Sequence, residues 1–261
     1  MPITIKSARE IELMTEAGRI LEIVHDELAK SLHPGMSTMD IDQLGEEVIR
    51  SYGCIPSFLD YNGYPASICV SVNDEVVHGI PDRHRILQDG DVVSLDAGVI
   101  YKGYHSDAAR TYGIGEISRE AEDLIKVTRE SFFEGIKYAI EGNYLFDISA
   151  AIGRYASERG YGVVRDLCGH GIGTALHEAP EIPNYEMNRK GVKLKSGMSL
   201  AIEPMINAGT WEVDWLDDDW TVVTKDHSLS AHYENTVLIT KGEPVLLSLS
   251  AYEERKQNGQ V

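Results

Sequence analysis

Glycines and acids recur in this chain at a constant separation of 107 positions. That shift aligns four residues of an early segment with four of a later one: Gly35, Asp40, Ile41 and Gly53 with Gly142, Asp147, Ile148 and Gly160. It also places Gly90 on Gly197 and Asp96 on Glu203, so each acid follows its glycine by six residues within apolar sequence. Such self-similarity indicates an internal duplication. We predict two halves, roughly residues 1–112 and 113–247, related by a pseudo-twofold axis that brings the equivalent acids together.

Each half is predicted to be helical first and then β. Ser7 is a predicted N-cap, with Glu10 three residues later completing a capping box, and apolar residues follow at helical spacing. The predicted elements are, in chain order, a helix at 7–31, a helix from 37–40 to Gly53, a strand near 68–72, a hairpin across 91–112, and helices at 119–141 and 147–159. The fold class is therefore α+β, with two α/β halves around a central antiparallel sheet.

Composition limits the partners. The 261 residues suit one large domain, 1–261, or two fused halves, and nothing in the sequence demands more than a monomer. A formal net charge of −18 repels phosphate, so we expect no DNA binding and no anionic membrane surface as partner, whereas cations are attracted. Three scattered cysteines (Cys54, Cys69 and Cys168) form no disulfide framework, and Met1 to Lys30 lacks an apolar signal region. These features predict a cytoplasmic protein.

The hairpin at 91–112 carries two aspartates in apolar sequence. Antiparallel pairing around a turn at Tyr101–Gly103 puts Asp96 and Asp107 nearly opposite each other. Opposed like charges destabilise a sheet, and half-buried carboxylates need compensation. A divalent cation between them would provide it; the alternative is an ion pair of Arg110 or Lys102 with one of the acids.

Two further acids interrupt apolar sequence in the second half. Glu203 follows Leu200-Ala201-Ile202, and Glu234 follows Ala231-His232-Tyr233. Either alone could be a surface residue of an edge strand. Four converging carboxylates are untenable without metal, and an oxygen-rich site suits Mn²⁺, Fe²⁺, Co²⁺ or Zn²⁺.

Three histidines are candidates for the same site. His170 lies among Gly169, Gly171 and Gly173, where glycine permits close backbone approach. His177 follows Leu176, and His78 lies between Val77 and Gly79. A lone histidine is more often structural than catalytic. Four other histidines are predicted to lie on the surface: His25, His33, His84 and His227.

Together these motifs resemble the pita-bread metallopeptidases, which include methionine aminopeptidases, prolidases, aminopeptidase P and creatinases. The resemblance rests on Asp96 with Asp107, Gly169 to Gly173, His177-Glu178-x-Pro180, Ile202 to Met205 and Tyr233-Glu234. It runs from about Ile5 to Leu247. Asn73 to Pro81 and Trp220 to Asp226 are similar to the methionine aminopeptidases within that family. The 26 positions from His177 to Glu203 leave no room for the type 2 insertion, so the short bacterial type 1 form is indicated.

The resemblance implies a pita-bread fold and a site for two divalent ions (Co, Mn, Fe or Zn). Its metal ligands would be Asp96, Asp107, His170, Glu203 and Glu234, with Asp107 and Glu234 bridging, Asp96 on one ion, and His170 and Glu203 on the other. Glu203 would also carry a proton, His177 would hydrogen-bond the substrate carbonyl or oxyanion, and His78 would contact the scissile amide or leaving group. The substrates would be N-termini of nascent polypeptides that begin with methionine and continue with a small residue.

The resemblance also implies a methionine pocket lined by Phe58, Tyr61, Tyr64, Cys69, Leu176 and Trp220. Taken singly, each of these residues could be ordinary core. Three positions depart from the family pattern: Leu176 replaces a common phenylalanine, Asn235 a common histidine, and Asp219 a usual turn glycine whose positive φ aspartate tolerates.

Other functions remain open at this point. The chain could be a related X-Pro peptidase, or a non-catalytic peptide-binding module of the same fold. A basic cluster at Arg189, Lys190, Lys193 and Lys195 is either a solvated face or a transient contact with the ribosome, where substrates emerge.

Overall fold

A computed structural model describes residues 2–249. Its helices are α1 (Ala8–Ser31), α2 (Thr38–Ser51), α3 (Arg119–Ile136) and α4 (Leu145–Ser157). Its strands are β1 (Ile55–Pro56), β2 (Ile68–Val72), β3 (Glu75–Val77), β4 (Val92–Tyr101), β5 (Tyr104–Gly113), β6 (Gly162–Val163), β7 (Gly169–Gly171), β8 (Glu178–Ile182), β9 (Ser199–Ile202), β10 (Met205–Asn207), β11 (Val213–Trp215), β12 (Val222–Thr224), β13 (Ser230–His232), β14 (Asn235–Leu238) and β15 (Val245–Leu246).

Two antiparallel sheets form the centre. In the first, β4 lies between β1 and β2 and also pairs with β5; in the second, the order is β15-β14-β9-β7-β8. Strands β5 and β14 join the two sheets. The Thr236 hydroxyl accepts a hydrogen bond from the Asp107 N–H at 2.8 Å, and the Glu234 N–H donates to the Ala109 carbonyl at 3.0 Å. This contact places Asp107 beside Glu234 at the junction of the halves.

The predicted duplication is visible in the backbone. Gly90 and Gly197, which precede β4 and β9, have φ of 95° and 90°, a region that glycine adopts without steric cost. Asp40 and Asp147 each accept a hydrogen bond at 2.9 Å from the backbone N–H three residues earlier, at the starts of α2 and α4. Equivalent glycines therefore form the same turn, and equivalent aspartates the same helix cap, in both halves.

The helices cover the outer faces of the sheets. Buried side chains of α1, including Leu21 and Val24, pack with Leu95 and Val99 of β4. On the other side, Phe132 of α3 and the apolar face of α4 pack with strands β9 and β14. No helix within residues 2–249 is long and apolar enough to cross a membrane.

Some predicted boundaries and one predicted exposure were wrong. The third helix ends at Ile136 rather than 141, because the chain turns there and the Asn143 side chain donates to the Tyr138 carbonyl at 3.0 Å. His25, predicted on the surface, is buried and its Nε2 lies 2.8 Å from the Ala108 carbonyl oxygen. It faces β5 from the apolar side of α1.

Candidate metal centre

Asp96 and Asp107 lie on neighbouring strands of the central hairpin, but they are not directly opposite. The turn at Lys102 and Gly103 pairs Tyr101 with Tyr104, so Asp96 faces Ala109 and Asp107 faces Gly98. The two acids are therefore diagonal neighbours, close to the nearly opposite placement that the sequence predicted. Diagonal side chains can still meet across a sheet, and both aspartates line the same cavity.

Glu203 and Glu234 lie at adjacent strand ends. Glu203 comes directly after β9 rather than inside it, because the following Pro204 lacks the N–H that a ladder needs. Glu234 directly precedes β14, whose Asn235 pairs with Ile202. The paired ends of β9 and β14 thus bring the two glutamates to the same edge.

His170 is presented by the short strand β7. Glycine is required on both sides of it, since a Cβ would lie 2.4 Å from the Ala201 oxygen at Gly169 and 2.2 Å from the Ala179 oxygen at Gly171. The His170 Nδ1 donates to the Gly171 carbonyl at 2.9 Å, which leaves the lone pair on Nε2. That Nε2 lies 3.6 Å from Glu203 Oε1 and 3.8 Å from Asp107 Oδ2.

His232 also faces the acids, and the sequence reasoning did not single it out. It is 1% exposed, and its Nε2 lies 3.8 Å from Glu203 Oε2 and 4.0 Å from Glu234 Oε2. Burial, with smaller effects of His78 and Arg110, lowers the pKa of His232 to about 3. Its position two residues before Glu234 was a usable signal, because alternate residues of extended chain share a face.

The donors fit a bound divalent cation. Oxygen atoms of Asp96, Asp107 and Glu234 are buried without a hydrogen-bond partner among the described residues. Burial raises the pKa of Asp96 to about 7, and burial with mutual repulsion raises the pKa of the other three acids well above the usual range. Two groups of ligand atoms lie within reach of one ion: Asp107, His170 and Glu234, and Glu203, His232 and Glu234.

No cationic side chain within residues 2–249 neutralises the four acids through an ion pair. Within residues 2–249, neither lysine nor arginine forms an ion pair with any of the four acids. Arg110 is buried, but its guanidinium donates to the carbonyl oxygen of Glu234 and to Asn235 Oδ1. The ion-pair alternative considered for Arg110 is therefore wrong, and the described residues leave the acids available to a bound cation.

All the residues predicted for the metal centre and the side-chain pocket line one cavity of about 210 Å³. The acids and His170 line it together with aromatic and apolar side chains. Tyr64 is held there by a hydrogen bond to the Gly79 carbonyl at 2.9 Å and by an edge contact with Trp220 at 5.1 Å. Five lining residues were not predicted: Asn62, Val77, Leu167, Cys168 and Met205.

His177 also lines the cavity, and two other side chains contact its ring. Its Nδ1 is 2.7 Å from the Tyr61 hydroxyl, and its ring centroid is 4.2 Å from that of His170. The next residue, Glu178, forms a buried ion pair at 2.7 Å with Lys6, which precedes α1. Tyr61 was predicted only as pocket lining, and its polar contact with His177 is an additional role.

His78 closes the cavity beside Trp220, at a ring-centroid distance of 6.3 Å. Its φ of 60° is unusual for a residue other than glycine. Burial, with a smaller effect of His177, lowers the pKa of His78 to about 4, so the imidazole is neutral near pH 7. It can therefore donate or accept one hydrogen bond inside the cavity.

The three departures from the family pattern have local explanations. Leu176 is buried and lines the cavity. Asn235 accepts hydrogen bonds through Oδ1 from Arg110 at 2.7 Å and from Ser248 at 3.0 Å. Asp219 has φ of 63°, as expected for a residue that replaces a turn glycine.

Comparisons with known proteins agree with this geometry. The sequence model of metallopeptidase family M24 matches residues 12–241. A methionine aminopeptidase of Clostridium acetobutylicum is 55% identical over 247 residues, which cover 95% of this chain and 99% of the relative. The crystal structure of methionine aminopeptidase from Thermotoga maritima has a TM-score of 0.93 and 42% identity, covering 95% of this chain and 100% of its own. An Xaa-Pro dipeptidase from Bacillus anthracis has a TM-score of 0.76 and 25% identity, covering 94% of this chain but 62% of its own.

Proposed function

The chain belongs to metallopeptidase family M24, and on that premise we propose that it removes the initiator methionine from nascent polypeptides whose second residue is small. The observation that carries the proposal is the cavity itself. Four acids and His170 line it together with aromatic side chains and Cys69. An unbranched thioether suits such a soft apolar lining, and the free α-ammonium group is attracted to the acidic side.

We propose that the acids and His170 bind two divalent ions, with Co, Mn, Fe or Zn as candidates. Asp107 and Glu234 would bridge them, Asp96 would bind one, and His170 and Glu203 the other. Support comes from Asp107, His170 and Glu234, whose ligand atoms lie within reach of one ion. When bound, such ions lower the pKa of water and polarise the scissile carbonyl.

The surrounding side chains would handle the proton and the substrate. Glu203 would take a proton from the attacking water and deliver it to the leaving amine. The Tyr61 hydroxyl beside Nδ1 leaves Nε2 of His177 free to hydrogen-bond the carbonyl oxygen. His78, neutral and buried, would contact the scissile amide or leaving group.

The methionine side chain would occupy the end of the cavity formed by Phe58, Tyr61, Tyr64, Cys69, Leu176 and Trp220. All but Tyr61 and Trp220 are buried. A closed pocket of this kind admits one side chain, so the residue after methionine lies among the metal ligands and has little room. The preference for a small second residue follows from that crowding.

Two alternatives are less well supported. An X-Pro peptidase is favoured by the likeness to the Xaa-Pro dipeptidase, but that match covers 62% of the other chain and is weaker in both identity and TM-score. A non-catalytic binding module would have no use for buried, unpartnered carboxylate oxygens, which Asp96, Asp107 and Glu234 retain.

A peptide panel tests the proposal. Purified protein loaded with Mn²⁺ or Co²⁺ is expected to release methionine from Met-Ala-Ser, with little release of leucine from Leu-Ala-Ser and none of methionine from Met-Leu-Ser. Cleavage of X-Pro peptides in preference to Met-Ala-Ser would support the first alternative. Binding of Met-Ala-Ser without cleavage would support the second.

We propose further that Arg189, Lys190, Lys193 and Lys195 contact the ribosome. All four are exposed, and Arg189 lines a second cavity that shares Cys168, His170 and His177 with the first. A basic loop beside the cavity could hold it near emerging chains. Reversal of the four charges should weaken co-sedimentation with ribosomes while release of methionine from Met-Ala-Ser is retained; unchanged co-sedimentation would leave only a solvated face.

A further inference from the structure

His232 is placed in the metal centre by contacts that fix its backbone. The residue ends β13, where it pairs with Met205 of β10. Its N–H donates to the Thr111 hydroxyl at 2.9 Å, and that hydroxyl donates to the His232 carbonyl at 2.8 Å. With the backbone held on both sides, the ring has little freedom to turn away from the acids.

The ring nitrogen that points at the acids has no partner. Nε2 of His232 is buried and unbonded among the described residues. A buried polar atom without a hydrogen bond is rare, and each one calls for a specific explanation. Here the nearest charged atom is Oε2 of Glu203, at 3.8 Å.

Glu203 lies between two imidazoles. Its Oε1 is 3.6 Å from Nε2 of His170, and its Oε2 is 3.8 Å from Nε2 of His232. Since His170 offers a lone pair, the oxygen beside it is on the cation side of the carboxylate. The oxygen beside His232, called the outer oxygen here, lies with Glu234 Oε2 around the same imidazole, and a hydrogen-bond donor there would hold the carboxylate in place.

We propose that His232 is a positioning residue whose Nε2–H donates to the outer oxygen of Glu203 and thereby fixes its carboxylate for metal binding and proton transfer. The gap has to close by less than about 1 Å to reach hydrogen-bond length. Such contacts often tighten only in the loaded enzyme. The inference rests on the proposed metal-dependent function, and it adds to that function a residue outside the family's ligand set.

Three variants test the role: His232→Leu removes the donor, His232→Gln keeps an N–H donor without an imidazole, and His25→Leu is the matched control. His25 is also a buried histidine, but its Nε2 lies beside the Ala108 carbonyl oxygen rather than the acids. Affinity for Mn²⁺ alone is measured by calorimetry on metal-stripped protein, with thermal unfolding recorded for each variant.

We expect His232→Leu to weaken Mn²⁺ binding by about 10- to 100-fold, as loss of a hydrogen bond to a ligand does, and His232→Gln to stay within about threefold of the parent. Unchanged affinity in His232→Leu would overturn the proposal. Equal weakening in His232→Gln would overturn it as well, because it would make the imidazole a direct ligand. Equal weakening of Mn²⁺ binding in His25→Leu would mean that the effect comes from lost packing, and it would contradict the proposal.

Hydrolysis of Met-Ala-Ser at saturating Mn²⁺ provides the second readout. His232→Leu should lower kcat at least tenfold with little change in KM, and His232→Gln should restore most of it. Calorimetry needs no substrate, so the two failures are distinguishable. Absence of methionine release by the parent would contradict the proposed function, while the order of metal affinities would still decide the role of His232.

Discussion

The two halves of the molecule contribute to the same centre in different ways. In the first half, Asp96 and Asp107 belong to one hairpin of two ten-residue strands joined by a tight turn. In the second half, Glu203 and Glu234 lie at the ends of short strands, and β10 to β13 are inserted between them. The first half would supply oxygen ligands alone, whereas the second also carries two imidazoles, those of His170 and His232, on either side of Glu203.

The difference shows what a duplicated scaffold provides and what it does not. The shared turns and caps bring an acid from each half to the junction of β5 and β14. His170 and His232, the His177 loop and the inserted strands belong to the second half only, whereas the first half contributes His78. We infer that the duplication sets the position of the cations, while the asymmetry sets which carboxylate transfers the proton.

The equivalent acids give the largest expected contrast. Both Asp96→Asn and Glu203→Gln remove a proposed metal ligand, but only the second also removes the proposed proton carrier. At saturating Mn²⁺ we expect Glu203→Gln to lower kcat by about 10²- to 10⁴-fold. Asp96→Asn should recover more of the parent kcat as Mn²⁺ is raised. Equal kcat values for the two variants at saturation would mean that the halves are chemically equivalent.

His177 has no counterpart in the first half, and its removal should have the next largest effect. His177→Ala is expected to lower kcat for Met-Ala-Ser by about 10²- to 10³-fold, because a donor to the developing oxyanion is lost. Metal content, measured by atomic emission, should stay at the parent value. Exposed His84 provides the control His84→Ala, which should be neutral. Loss of metal in His177→Ala would place the residue among the ligands instead.

Removal of the buried ion pair between Lys6 and Glu178, which holds the His177 loop, should have a smaller effect on kcat. Lys6 and Glu178 are 4% and 7% exposed in their side chains, and Thr4 also donates to Glu178. Lys6→Met leaves Glu178 buried without its cation, so we expect kcat to fall about tenfold through misplacement of the loop.

Lys30→Met is the matched control, because Lys30 pairs with Glu27 at 2.8 Å on the exposed face of α1. In the His177→Ala background, Lys6→Met should cost little more activity. An equal loss in both backgrounds would mean that the ion pair does not act through His177.

The smallest contrast concerns the equivalent turn glycines. Gly90→Ala and Gly197→Ala both force a Cβ into positive φ, which costs about 1–2 kcal/mol. At Gly90 the new Cβ has only the Glu116 oxygen nearby, at 3.8 Å, whereas at Gly197 it would lie 2.8 Å from Ile5 Cγ2. Urea unfolding should therefore show Gly197→Ala as the less stable variant; the reverse order would contradict the packing of the N-terminal segment on the second half.

Local signals in the sequence predicted the scaffold well. The capping box of Ser7 and Glu10, the strand at 68–72 and the hairpin at 91–112 all follow from contacts between residues close in sequence. The repeat predicted that acids from both halves would meet, because equivalent glycines and caps place equivalent strands.

Features that depend on distant contacts were missed. The hairpin register depends on which two residues occupy the turn, and that changed the partners of Asp96 and Asp107. His25 lies on α1 among apolar neighbours, but only the docking of that helix on β5 buries it. The proposed role of His232 depends on its closeness to Glu203, 29 positions earlier in the sequence. The added role of Tyr61 depends on its contact with His177 across the cavity.

Metal-dependent release of methionine tests the central claim most directly. Protein stripped of metal is reloaded with counted equivalents of Mn²⁺ or Co²⁺, and methionine release from Met-Ala-Ser is followed beside Asp107→Asn. We predict no release from the stripped protein, recovery as metal is added, and no recovery in Asp107→Asn. Full activity after stripping, or recovery in Asp107→Asn at the same metal concentration, would contradict a centre built where the two halves meet.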